Sequence, residues 1–194
     1  QLAIWFTILE NANGTESTPP QWIRLFPSGT PPAGRAFPRL SYDPATNRVI
    51  LYSGQNGSGW GGAVYNDVWI LTNANGLGGT PQWIKIVSSM PIIGQYFSMT
   101  EYDQANNRLI IFGGINQYGL NTNGLWVLVN ANGLGGTPSL VNLIPDGAVG
   151  SPPKQGDVAM AYDPTRNKAL LYSGDGTVCT LVNANGLGGS PVLT

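Results

Sequence analysis

Histidine is absent from this 194-residue chain, and cysteine occurs once, as Cys179. Without His the chain lacks the usual general base at neutral pH and the commonest transition-metal ligand. Nucleophilic arrangements that pair Ser or Cys with His are excluded, and one Cys cannot form an internal disulfide. Charge is sparse as well: nine Lys/Arg and ten Asp/Glu make up 10% of the chain and leave a net charge of −1. That balance offers no footprint for nucleic acid or an anionic membrane surface. No apolar run approaches the roughly 18–20 residues that span a bilayer. Glu10, Glu16 and Glu101 are scattered, with no pair that spacing would bring together. The expectation is a protein that is not an enzyme, with no cofactor and no metal.

What the chain does have is Gly (27 residues), Pro (15 residues) and 42% hydrophobic content. Together these suit a turn-rich β protein rather than a disordered one. Asn-Ala-Asn-Gly begins at Asn11 and returns at Asn73, Asn130 and Asn183; the last three copies run on into Leu-Gly-Gly-Thr/Ser-Pro. A second marker, Tyr-Asp plus a polar turn, stands at Tyr42-Asp43, Tyr102-Asp103 and Tyr162-Asp163. A period of about 60 residues points to a repeat architecture.

Each period reads as four short strands. In the clearest one, Ala36 to Tyr42 is β-prone and Asp43 to Asn47 supplies turn chemistry. Arg48 to Ser53 is an apolar run closed by Gly54, and Asp67 to Leu71 and Trp83 to Ile86 follow. The third period joins its second and third strands through Asp175-Gly176, a two-residue hairpin signal. Asn-Ala-Asn-Gly-Leu-Gly-Gly reads as the hairpin connection between third and fourth strands. A phosphate loop would need a following helix, and a calcium loop several carboxylates.

Ile110-Ile111-Phe112-Gly113-Gly114, Asn66-Asp67-Val68-Trp69 and Gln82-Trp83 resemble the kelch repeat, in the form of bacterial proteins with Tyr-Asp-Pro-x-Thr-Asn-Arg turns. The resemblance covers essentially the whole chain. It departs at the Arg position (Arg35, Gln95, Gln155), at the His position (Pro38, Ser98, Val158), and where Ser53-Gly54 and Ser173-Gly174 replace the double Gly. It implies an all-β propeller of four-stranded antiparallel blades, about three and a half of them: a half blade over 1–30, then blades over 31–90, 91–147 and 148–194, the last strand cut short. Closed kelch rings of six or seven blades need about twice this length. The chain is therefore expected to be part of a longer polypeptide or to associate with other copies. Gln1 in place of an initiator Met points to a mature or trimmed form.

Trp69, Trp126 and Cys179 occupy equivalent third-strand places, and Trp22 and Trp83 open fourth strands; all five are expected in the blade core. Copper galactose oxidases built on kelch propellers need His ligands, so that chemistry does not transfer. Second-to-third-strand loops vary most between periods, and variable loops on a constant scaffold are where binding concentrates. Trp60, Tyr65, Gln117, Tyr118 and Asn121 are the expected ligand-binding residues, combining aromatic faces with amides. The first functional expectation is an extracellular or cell-surface scaffold presenting these loops to a protein or glycan. A second is a structural subunit of a surface layer or filament, self-associating through open blade edges. A third is part of a propeller enzyme whose catalytic residues lie elsewhere.

Overall fold

Antiparallel hairpins follow one another along the computed structural model, which describes residues 6–15, 17–57, 62–86, 88, 91–154 and 159–194. Among these residues the strands form four sheets and no helix. The first sheet pairs β1 (Phe6–Glu10) with β2 (Gln21–Leu25). The second holds β3 (Arg39–Asp43), β4 (Arg48–Tyr52), β5 (Val68–Thr72) and β6 (Gln82–Lys85). The third holds β7 (Met99–Asp103), β8 (Arg108–Ile115), β9 (Asn121–Val129) and β10 (Ser139–Ile144). The fourth holds β11 (Ala159–Asp163), β12 (Lys168–Tyr172), β13 (Val178–Val182) and β14 (Val192–Leu193). Every pairing joins chain neighbours, so each sheet is a simple meander in a propeller-like series.

The middle strands of the second and third sheets carry apolar side chains on both faces because each of these sheets packs against a sheet on either side. Ile50, Tyr52, Val68 and Ile70 of the second sheet meet Leu109, Ile111, Leu128, Ala131 and Leu140 of the third. Ile110, Phe112, Leu125 and Val127 of the third meet Ala169, Leu171, Leu181 and Ala184 of the fourth. The first seam buries Leu51, Trp69, Leu71, Ala74 and Trp83, with Phe6 packed on the cluster. The Phe6 ring meets Trp83 edge to face at 6.1 Å. Trp126 packs on the second seam and Cys179 on the third.

A polar tie closes the second and third seams at the turn end. Asn107, at φ 51°, plugs the loop of its own sheet. Its Oδ1 accepts the Asn132 N–H at 2.9 Å, and its Nδ2 donates to Asn132 Oδ1 at 2.7 Å and to the Leu134 carbonyl at 2.9 Å. Asn132 then donates its own Nδ2 to Asp43 Oδ2 of the preceding sheet at 2.8 Å. The Tyr102 hydroxyl donates to the same oxygen at 3.4 Å, and Arg48 Nη1 donates to the Asn132 carbonyl at 3.0 Å. The next seam repeats the set: Asn185 to Asp103 at 2.6 Å, Tyr162 to Asp103 at 3.3 Å, and Arg108 to the Asn185 carbonyl at 3.0 Å. Both repeated markers of the sequence thus meet in one device, and Asp43 and Asp103 are buried by it. Burial opposes ionisation of Asp43, but hydrogen bonds from Thr46, Asn132, the Ala45 N–H and Tyr102 outweigh it and hold its pKa below the ordinary carboxylate value.

Three expectations need correction. Trp22 is not in the core: it is 72% exposed, because among the described residues no sheet covers that face of β1–β2. Ala36 lies outside the first strand of its period and makes an isolated bridge to Gln55. Asp175-Gly176 belongs to a three-residue loop, in which Gly176 N–H bonds the Ser173 carbonyl and Ser173 N–H bonds the Thr177 carbonyl, both at 2.9 Å. Gly176 takes φ 84° to close it.

Asn132→Ala strands a buried carboxylate and opens its own loop, so it should destabilise the fold by about 2–3 kcal/mol in chemical denaturation. Asp43 holds its proton less tightly folded than unfolded. It therefore adds stability above pH of about 4, and that stability fades as pH falls below it. Asp43→Asn should flatten the acid limb of a plot of melting temperature against pH.

Candidate functional site

Strand direction sorts the loops into two ends. The β3–β4, β7–β8 and β11–β12 turns share the turn end with the Asn-Ala-Asn-Gly loops. The other end gathers the variable β4–β5 and β8–β9 loops and the connections between sheets. At this loop end the strands approach unusually closely. Gly54 (φ 103°) and Gly114 (φ 108°) lie against the entering chain, and a Cβ on Gly114 would sit 2.8 Å from the Ser98 nitrogen and 2.9 Å from the Tyr96 carbonyl. Only glycine satisfies both the backbone angle and the space.

Ser53 stands where the third sheet has Gly113, and adds hydrogen bonds there. At φ 51° and fully buried, its hydroxyl donates to the Tyr65 carbonyl at 2.7 Å and accepts the Gln95 N–H of the next sheet's approach at 2.8 Å. Arg35 lies beneath the β4–β5 loop. It pairs with Asp67 through two hydrogen bonds of 2.5 and 3.1 Å, donates to the Ser53 carbonyl at 3.0 Å, and stacks 4.2 Å from the Tyr65 ring centroid. Asp67 also accepts from Trp69 Nε1 at 2.8 Å. Burial pushes the Asp67 carboxyl up, but the bonds from Arg35 and Trp69 win and lower its pKa. Tyr65 is therefore a half-buried lid on a charged strut rather than a free ring.

Gln117 and Tyr118 lie at the tip of the long β8–β9 hairpin. Asn116 shapes the tip: its Oδ1 accepts the N–H groups of Tyr118 at 2.9 Å and Leu120 at 3.1 Å, and its own N–H bonds the Leu120 carbonyl at 3.0 Å. Tyr118 is left 76% exposed and Leu120 61%. Below them is an open cleft of about 310 Å³ lined by Asn66, Ile92, Ile93, Gly94, Asn116, Gln117 and Tyr118. Its floor is fixed, since the buried Tyr52 hydroxyl donates to the Ile93 carbonyl. Asn121 starts β9 opposite Ile115 and is exposed beside the tip, outside the cleft lining. Trp60 lies outside the described residues.

Sequence reasoning passed over Asn66, Ile92, Ile93 and Leu120. Ile92 and Ile93 read as a linker between strands, and only the fold brings that linker under the hairpin tip. Among the described residues no group of three or more His, Cys, Asp or Glu is placed to hold a metal ion. The arrangement can offer aromatic and aliphatic contact with amide hydrogen bonding. Asp67→Ala leaves Arg35 charged and enclosed without its partner, and should cost about 3 kcal/mol in thermal or chemical unfolding.

No family model matches the chain, and no curated protein matches its sequence. Many solved structures match its shape. One of them, titled "Structure of YjhT", superposes with a TM-score of 0.65 at 14% identity over 98% of this chain. The chain spans 58% of that structure's length. At this identity the likeness is one of fold alone.

Proposed function

We propose that the chain is a kelch-type β-propeller array acting outside the cell as a non-catalytic scaffold that binds a protein or glycan partner on its loop end. Four-stranded meanders repeated at each Tyr-Asp marker support the kelch reading. The observation that carries the functional reading is the β8–β9 tip. Tyr118 and Leu120 stand exposed on a hairpin whose backbone is locked by Asn116, over a floor fixed to the core through Tyr52. Large apolar side chains held outward on a rigid frame lose little entropy when a partner covers them. Asn66 and Gln117 supply amide groups beside the aromatic face, a combination suited to sugar hydroxyls or to peptide backbone.

The absence of His, and of a carboxylate pair among the described residues lining the cleft, supports binding rather than chemistry. A screen of the chain against oligosaccharide arrays and immobilised surface proteins should yield a partner whose affinity drops at least tenfold in Tyr118→Ala. The melting temperature of that variant should match the parent. A partner bound equally well by Tyr118→Ala and by Gln117→Ala would place binding elsewhere on the molecule.

A further inference from the structure

The three seams use the same positions, so their pattern can be extended to the two outer faces. The leading face of the second sheet is Ile50, Tyr52, Val68 and Ile70, and that of the third is Ile110, Phe112, Leu125 and Val127. Register places Leu170, Tyr172, Val178 and Thr180 of the fourth sheet at the same points. There, however, Leu170, Tyr172 and Val178 are 49%, 53% and 58% exposed. On the other side, the trailing face of the second sheet is Trp69, Leu71, Ala74 and Trp83. Its equivalent on the first sheet is Thr7, Leu9, Ala12 and Trp22, with Leu9 and Trp22 exposed.

The polar tie is present in two matching halves as well. Asp163 and Lys168 stand where Asp43 and Arg48 receive Asn132. Among the described residues Asp163 is engaged only in its own turn, by the Thr165 and Arg166 N–H groups and the exposed Arg166 guanidinium at 2.8 Å. On the first sheet Asn13 occupies the place of Asn132. Its loop already has the seam-forming shape although its sequence after Gly14 differs. Asn13 Oδ1 accepts the N–H two residues on at 3.2 Å, as Asn132 Oδ1 does at 2.9 Å. Asn11 Nδ2 reaches the carbonyl seven residues on, as Asn130 Nδ2 does.

From this match we propose that the outer face of the fourth sheet is a docking surface for the first sheet of a second copy, joined head to tail. Leu170, Tyr172 and Val178 cover Leu9 and Trp22. Asn13 donates its side-chain N–H to Asp163 and offers its carbonyl to Lys168. The second copy is favoured because its own exposed face supplies both the apolar positions and the preformed Asn-Gly loop that the two internal ties use. The contact joins unlike faces, so it propagates into a ring or a chain of copies. It stands independently of the loop-end binding reading.

Sedimentation velocity of the 194-residue chain at micromolar concentrations should show species heavier than one copy that grow with concentration. Leu170→Asp and Trp22→Asp, each alone, should return the mass to a single copy. Both sites are solvent-facing, and circular dichroism should show the fold intact; Val178→Asp and Leu9→Asp serve as second variants for the same two faces. An equimolar mixture of Leu170→Asp and Trp22→Asp retains one good pair of faces, and should give two-copy species and nothing heavier. A parent that stays at single-copy mass overturns the proposal. So does assembly that survives either substitution, or a mixture that stays at single-copy mass.

Discussion

One amide in each of two Asn-Ala-Asn-Gly loops, Asn132 and Asn185, ties the second sheet to the third and the third to the fourth. Asn107 holds the Asn132 loop closed, and the buried Asp43 carboxylate accepts hydrogen bonds from Asn132 and Tyr102. Hydrophobic burial supplies the bulk of the attraction between sheets, but it is indifferent to small slips. The tie is directional, and it sets the register at which Ile50 and Ile70 face Leu109 and Leu128. The sheets are thereby spaced alike wherever Asp, Tyr, Asn and Arg recur.

That dependence explains why the fold was largely legible in the chain and the tie was not. Period-2 and buried-run patterns with Asn and Gly turns located the strands to within a few residues. The Asp turns were read correctly as local: Ala45 and Thr46 do bond Asp43. The second set of bonds on the same carboxylate comes from Asn132, 89 residues away. No local rule separates an Asn that closes its own hairpin, as Asn75 does, from one that also reaches another sheet, as Asn132 and Asn185 do. Trp22 shows the converse limit. Its position in the repeat is a core position, but whether it is covered depends on what packs against that face, which a position in the repeat does not state.

The candidate site was readable in part for a related reason. Loop variation pointed to Gln117 and Tyr118, and the hairpin tip does expose them. Tyr65 looked equivalent, but Arg35 draws its ring down over the Asp67 strut. Ile92 and Ile93 gave no signal, being apolar residues in a connection. They matter because Tyr52, a core residue of the preceding sheet, fastens the carbonyl of Ile93 and turns a linker into a floor.

The ties lie at the turn end, and the variable hairpins project from the opposite one. Register is therefore decided at a distance from the segments that differ. The β12–β13 connection is only five residues long, whereas β8–β9 extends into a shaped tip, yet Asn185 grips Asp103 in the same way that Asn132 grips Asp43. Segments of new length or composition could be grafted at one pole without disturbing alignment at the other, which makes such an array a natural chassis for diversifying recognition.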